Sequence, residues 1–383
     1  MRLELFVLSA ICAALGLHPF LTYPLSLALL ARLARRPTAP SATARAGRVA
    51  LCVCAYNEES IIGRKVENML AMRRAVPELD LLIYVDAATD RTAEILRNYA
   101  DAIRIVVSPT RTGKTHGMNT LVAATDAEFI VFSDANVVFA PDAIPRLLAG
   151  FADPQVGCVC GHLVYTRSEG SATATTGSAY WRLEEWIKGM ESRTGSTMGA
   201  DGSIFAIRHM LHTPPPADII DDMFVSLSIL CNGHRVIRVA DAVAFEELVS
   251  RPGEEFRRKV RIACQAFNVH RLLAPRLRRM SALDRYKYVS HKLLRWFSVY
   301  LLAISGVLLL TALAAIGAWN TLAVVLGLGA AGTIVGLTRP DSLPGKLIDV
   351  ILAFTATGFG VLRSLRGDRF QTWTPPASAR SAC

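Results

Sequence analysis

Four polar clusters follow apolar, strand-like runs in this sequence: Tyr56-Asn57-Glu58, Asp86, Lys114 in a Gly-Lys-Thr segment, and Asp134-Ala-Asn136. In open parallel sheets, ligands collect outside the carboxyl ends of the strands, so four such ends in succession point to one site. Taken singly, each cluster has a plainer reading, since Asn57 or Asp90 can cap a helix and Asp86 can close a turn. Asp134 and Asn136 are oxygen donors at alternate positions, which suits Mg²⁺ or Mn²⁺ sharing its remaining ligands with phosphate. Lys114 can neutralise phosphate. The sequence before it lacks the first glycine of a P-loop, which argues against a nucleoside triphosphatase.

Those clusters need a frame. Strands are expected at Val49 to Ala55, 80–85, 103–107 and 128–132, with helices at 59–75, 90–99 and 115–125, an alternation that predicts an α/β fold with a parallel sheet covered on both faces. The apolar stretch 5–31 is long enough to cross a bilayer, is bent by Pro19 and Pro24, and ends in Arg32, Arg35 and Arg36, which places the following domain in the cytoplasm. Two further apolar spans, 293–317 and 320–338, meet at Trp319 and Asn320 as a helical hairpin. The last stretch, 347–362, carries Asp349 and is followed by Arg363, Arg366 and Arg369, so a re-entrant or interface-lying helix is expected there. The resulting plan is an N-terminal anchor at 1–36, a linker at 37–47, a catalytic-sized domain at 48–250, basic interface helices at 251–292, the hairpin at 293–338 and a final segment at 345–383.

The net charge of +10 is concentrated before the hairpin, from Arg257 to Arg295, as a belt facing anionic lipid. No nucleic-acid recognition motif accompanies it. The eight cysteines, with Cys52/Cys54 and Cys158/Cys160 inside apolar runs, read as reduced and buried; their spacing does not suit zinc.

Ala55-Tyr-Asn-Glu-Glu59, Asp86-Ala-Ala-Thr-Asp-Arg-Thr92, Gly113-Lys-Thr-His-Gly-Met-Asn119, Ser133-Asp-Ala-Asn136 and Asp221-Asp222 occur in the order of one family. Over residues 48–300 the chain resembles the family 2 inverting glycosyltransferases, and most of all their membrane branch of cellulose, chitin and hyaluronan synthases and single-sugar transferases. The resemblance implies a GT-A (Rossmann-like) nucleotide-sugar-binding domain between N- and C-terminal transmembrane helices. It further implies that Tyr56 and Asp86, with Asn57 and Glu58 beside them, contact the nucleotide, that Lys114 lies next to it, and that Asp134 and Asn136 meet the metal and the diphosphate. The family usually has Asp where Asn136 stands, so weaker metal affinity is expected.

Asp222 matches the family's general base, and Asp221 lies beside it on the acceptor side. Gly199-Ala-Asp201-Gly202 is similar to the Gly-rich acceptor segment, where missing side chains admit a sugar to the backbone. Trp181 and Glu185 precede it on a helix and are candidates for sugar contact. Arg258 and Arg261 fall where synthases carry Gln-x-x-Arg-Trp; Arg261 matches and can pair with diphosphate, whereas Arg258 and Ile262 depart. The missing Trp argues against processive synthesis.

The expected activity is hexosyl or N-acetylhexosaminyl transfer from a UDP-sugar, with Mg²⁺ or Mn²⁺, to a lipid-linked or envelope saccharide acceptor. It is placed at the cytoplasmic face of a bacterial inner membrane, with membrane lipid and other envelope polysaccharide assembly proteins as candidate partners. A processive polysaccharide synthase and a degenerate nucleotide sensor or scaffold are the alternatives.

Overall fold

The computed structural model describes residues 2–33, 47–167, 174–248 and 252–374; most of the linker expected at 37–47 lies outside them. Eight strands form one sheet: β1 (Val49–Ala55), β2 (Leu79–Asp86), β3 (Arg104–Ser108), β4 (Phe129–Asp134), β5 (Val137–Phe139), β6 (Val156–Arg167), β7 (Ile204–Arg208) and β8 (Arg235–Leu248). Their spatial order is β3-β2-β1-β4-β7-β6-β8-β5. All seven residues of the central β1 are buried, as expected for a strand covered on both faces. One face packs against the helices Ile62–Met72 and Ala143–Ala149, and the other against Lys114–Ala123, Asp221–Cys231 and Pro252–Leu277.

The sheet is mixed rather than wholly parallel. β1 to β4 run parallel, but β7 pairs antiparallel with both β4 and β6, and β5 pairs antiparallel with β8. The strand-helix alternation is interrupted once, where β5 follows β4 directly, and resumes with the helix Ala143–Ala149. The sheet continues because β6, at 12 residues, and β8, at 14, are long enough to pair with each other and curl toward the site.

The apolar N-terminus forms two helices, Arg2–Leu17 and Thr22–Leu33, bent by 56°. Pro19 sits in the break, where it cannot donate a helical hydrogen bond. The first helix packs on the long C-terminal helix, with Ser9 Oγ donating to Ser305 O at 2.9 Å. The second buries Tyr23 and Leu27 against Ile187 of the helix Ala174–Arg193. Tyr23 Oη donates to Glu191 Oε1 at 2.5 Å, and His291 meets Glu191 at 2.7 Å and Glu184 at 3.0 Å. Arg295 closes this buried network on Glu184 at 2.5 Å. This buried network ties the second N-terminal helix to the helix Ala174–Arg193 and to the segment 289–295.

Among the described residues, three helices are long and apolar enough to cross a membrane: Ala282–Ala315, Trp319–Thr338 and Leu343–Leu365. The last covers the stretch read above as a re-entrant or interface-lying helix and is longer than its apolar run. Ser342 caps it, accepting from Gly345 N at 3.2 Å, so it starts four residues before the apolar run and reaches 23 residues, about 34 Å at 1.5 Å per residue. It packs against the first membrane-length helix, where Tyr300 Oη donates to Gly358 O at 2.7 Å, and against the helix Pro252–Leu277, where Ser364 Oγ donates to Asn268 Oδ1 at 2.6 Å.

Candidate active site

The carboxyl ends of β1, β2 and β4 open on one cleft, closed by the start of the helix Asp221–Cys231 and by residues 199–203. Lys114, first residue of its helix, points its ammonium at Asp134 Oδ1, 2.7 Å away, and lies 3.8 Å from Asp221 Oδ2. The attraction of Asp134 and Asp221 overcomes burial and pushes the Lys114 ammonium well up. Lys65, fully buried beneath, donates to Ser133 Oγ and to Val137 O, both at 2.7 Å, and so holds both ends of the turn that carries Asp134 and Asn136.

Asp221 and Asp222 are the first two residues of their helix. Asp222 Oδ1 accepts from Met223 N at 2.6 Å. A Cβ built on Gly202 would lie 2.8 Å from Asp222 Oδ2, so the glycine lets this carboxylate rest against the backbone of residues 199–203. Burial, then Asp221, push the Asp222 carboxyl up to about 7, against the pull of Lys114. That value suits a general base working near neutral pH. Asp221 Oδ2 is buried without a hydrogen-bond partner.

Asp86 is fully buried and organises a loop. Oδ1 accepts from Thr112 N at 2.6 Å and Thr112 Oγ1 at 3.0 Å; Oδ2 accepts from Arg111 Nε at 3.0 Å and Gly113 N at 3.1 Å. Four bonds fill the carboxylate's acceptor sites, so a base can reach it only by displacing one of them. Arg111 is the movable member. Its guanidinium lies 3.2 Å from the centre of the Tyr56 ring, on the face expected to meet a nucleobase. Asn57 and Glu58 knit the loops after β1 and β2: Asn57 Oδ1 accepts from Thr89 N at 2.7 Å, and Glu58 N donates to Thr92 Oγ1 at 2.7 Å.

Asn136 Nδ2 donates to Glu246 Oε1 at 2.9 Å. Burial pushes Glu246 up to about 7, with Arg258 pulling it back and Asp134 adding to the rise. Arg258 and Arg261, on the helix Pro252–Leu277, both face Asp134 electrostatically. Among the described residues no cluster of three or more His, Cys, Asp and Glu side chains encloses an ion. One carboxylate and one carboxamide oxygen fit Mg²⁺ or Mn²⁺, which draw their other ligands from phosphate and water.

The remaining candidates, Glu185, Trp181, Asp201 and Gly199, lie around Lys188 and residues 199–203. Asp201 Oδ2 lies 3.4 Å from Lys188, which also meets Glu185 at 3.1 Å. Glu185 further binds His162 at 2.7 Å and Arg238 at 2.5 Å; against burial, the His162 hydrogen bond and the Lys188 and Arg238 charges hold its carboxyl down at about 2. It organises the wall of the site. Trp181 Nε1 donates to Leu163 O at 3.2 Å and its ring carries Lys188 at 4.9 Å, so one face is already occupied. Gly199, at φ +125°, adopts a conformation few other residues allow and turns the segment toward Lys292.

Residues 50–213 match the family model described as "Glycosyl transferase family 2". The chain carries a family 2 glycosyltransferase domain. It is 26% identical over 248 residues to an N-acetylglucosaminyltransferase of Rhizobium sp., covering 60% of this chain and 54% of that one. It is also 26% identical over 165 residues to a beta-monoglucosyldiacylglycerol synthase of Synechocystis sp., covering 40% and 34% of the two. The chain spans about half the length of the first of these relatives. Its fold is that of a mannosyltransferase from Pyrobaculum calidifontis solved with GDP-Man and Mn²⁺: TM-score 0.74, 23% identity, 95% of this chain and 99% of that one. The transferase domain's matched segment ends before Asp221, so Asp221, Asp222, Glu246, Arg258 and Arg261 rest on geometry.

Four contributors to the transferase site were not read from the sequence: Arg111, Glu246, Lys65 and the C-terminal tail. After the last helix the chain comes back over the nucleotide end. Gln371 Nε2 donates to Thr112 O at 2.9 Å, Arg369 pairs with Asp218 at 2.7 Å, and Trp373 O accepts from Arg111 Nη2 at 2.6 Å. The Trp373 ring meets Tyr56 edge-on at 6.1 Å. A Cβ on Gly113 would collide with the Gln371 carbonyl, so this glycine, at φ +90°, is required by the tail as well as by the loop. The aromatic in Thr372-Trp373-Thr374, beyond an apolar run, was the one available signal.

Proposed function

We propose that the protein transfers a sugar, with inversion, from a nucleotide-sugar of UDP type to a lipid-linked or saccharide acceptor at the cytoplasmic membrane face, adding one or a few units. The observation that carries this reading is Asp222: a buried carboxylate raised to about 7, resting against Gly202 in the same cleft as Lys114 and Asp134. The acceptor hydroxyl gives its proton to Asp222 as its oxygen bonds to the anomeric carbon, and the bond to the diphosphate breaks. Lys114, Arg258 and Arg261 stabilise the departing nucleoside diphosphate. Asp134 and the Asn136 carbonyl would hold Mg²⁺ or Mn²⁺, whose charge neutralises that leaving group. The residues of the Glu185 cluster keep the acceptor wall in place. Membrane location is supported by the three long apolar helices, and orientation by the basic belt beside the domain.

The named activities of the relatives set the donor screen: UDP-N-acetylglucosamine, UDP-glucose and GDP-mannose, each with Mn²⁺ and a membrane-lipid extract, read by product mass and nucleotide release. One sugar–nucleotide pair should turn over, with UDP released. Free nucleotide monophosphate or pyrophosphate as the product would overturn the reaction class. For the base slot, Trp373→Ala is expected to raise the Kd for UDP about 2- to 10-fold, the value of one aromatic contact, in a fluorescence titration. An unchanged Kd would remove the tail from nucleotide recognition.

A further inference from the structure

Asn136 carries no charge, yet it stands where a second oxygen ligand to a divalent ion would be most useful. Its amide is committed: Nδ2 donates to Glu246 Oε1 at 2.9 Å. With its NH₂ end on Glu246 Oε1, Asn136 turns its carbonyl oxygen to the other side. Glu246 is delivered by tertiary pairing. In the antiparallel ladder of β5 and β8, Val137 lies opposite Glu246, which sets that side chain beside the turn following β4. Glu246 also interacts electrostatically with Asp134 and Arg258, which ties it to the diphosphate end of the cleft.

Resting on the function proposed above, we infer that Glu246 is a positioning residue of the metal–diphosphate site. Its carboxylate aims the Asn136 carbonyl oxygen at the cation and supplies from β8 the negative charge that position 136 lacks. A carboxamide whose NH₂ is hydrogen-bonded to an anion has a more negative oxygen, because chained hydrogen bonds polarise one another. Partners behind a metal ligand typically change metal affinity 10- to 100-fold. Glu246 thus compensates for Asn136, and Arg258 lies within the field of the same carboxylate.

A charge exchange tests this on the full-length protein in detergent at pH 8. Mn²⁺ affinity is measured with UDP by titration calorimetry and by loss of the free-ion electron paramagnetic resonance signal, neither of which needs turnover. Glu246→Gln should weaken Mn²⁺ binding roughly 10- to 100-fold. Asn136→Asp alone sets two carboxylates against each other, so its melting temperature should fall without metal and rise more than that of the wild type when Mn²⁺ is added. The double variant Asn136→Asp/Glu246→Gln rebuilds the amide–carboxylate pair in reverse and should recover affinity to within a few-fold of wild type. If Glu246→Gln does not fold, the double variant carries the test. Glu246→Gln binding Mn²⁺ within twofold of wild type, or a double variant weakened more than tenfold, overturns the inference. A wild type that binds no Mn²⁺ with UDP overturns instead the metal-assisted reading on which it rests.

Discussion

Asp222→Asn is expected to reduce the transfer rate by about 10²- to 10⁴-fold, the usual contribution of a positioned base, while UDP affinity stays at the wild-type value. The substitution keeps the geometry, because an amide oxygen can still accept from Met223 N as Asp222 Oδ1 does at 2.6 Å. The pH dependence follows from the folded carboxyl standing at about 7, raised by burial and Asp221 above the usual value of 3.8. A base must be deprotonated, so the wild-type rate should climb as pH passes through about 7 and level off above it.

Stability runs the other way. A carboxyl whose folded pKa is raised stabilises the fold while protonated, fully so below the unfolded value, and that contribution is lost as pH rises through about 7. Asn mimics the neutral acid, so Asp222→Asn should melt higher than wild type at pH 8, with the gap closing toward pH 5. A rate within tenfold of wild type would disqualify Asp222 as the base.

Lys114→Met should be the next most damaging change. The ammonium is shared by Asp134 at 2.7 Å and Asp221 at 3.8 Å, and it also lowers the Asp222 carboxyl. Without it, three carboxylates face one another in one cleft. Affinity for UDP is expected to fall about 10- to 100-fold, the equivalent of a lost charged hydrogen bond of about 1.5–3 kcal/mol. With its cation gone, Asp222 should ionise at higher pH, moving the ascending limb of the rate profile upward by on the order of one pH unit. Lys114→Arg, which keeps the charge, should recover the limb more than the affinity. Calorimetry with UDP and a pH series of initial rates measure both; a limb that stays in place would separate Lys114 from Asp222.

These two residues could be picked out from the sequence because each lies in a short contiguous motif, Gly113-Lys114-Thr115 and Asp221-Asp222. The strands β1, β2 and β4 were legible for a related reason: buried on both faces, they leave near-continuous apolar segments at 49–55, 79–86 and 129–134. β5 to β8 were not, since β5 is only three residues long and the pairing of β6 with β8 joins segments some 80 residues apart. The bend of 56° at the N-terminus follows Pro19 and Pro24, whereas the docking of Tyr23 on Glu191 just beyond it is a contact no local pattern contains.

By itself, the sequence determined the family of the domain, the carboxylates and the lysine of the cleft, and the presence of long apolar helices, because these depend on residue type and on spacing along the chain. Only the tertiary structure decided that Asp86 spends its oxygens on Arg111, Thr112 and Gly113, that Trp373 returns to Tyr56, and that Glu246 stands behind Asn136. Asp86 and Arg111 are 25 residues apart, Asn136 and Glu246 are 110 apart, and Arg111 and Trp373 are 262 apart. At such separations the chain carries no local trace of the contact, which exists only once sheet register and helix packing have closed the loops between them.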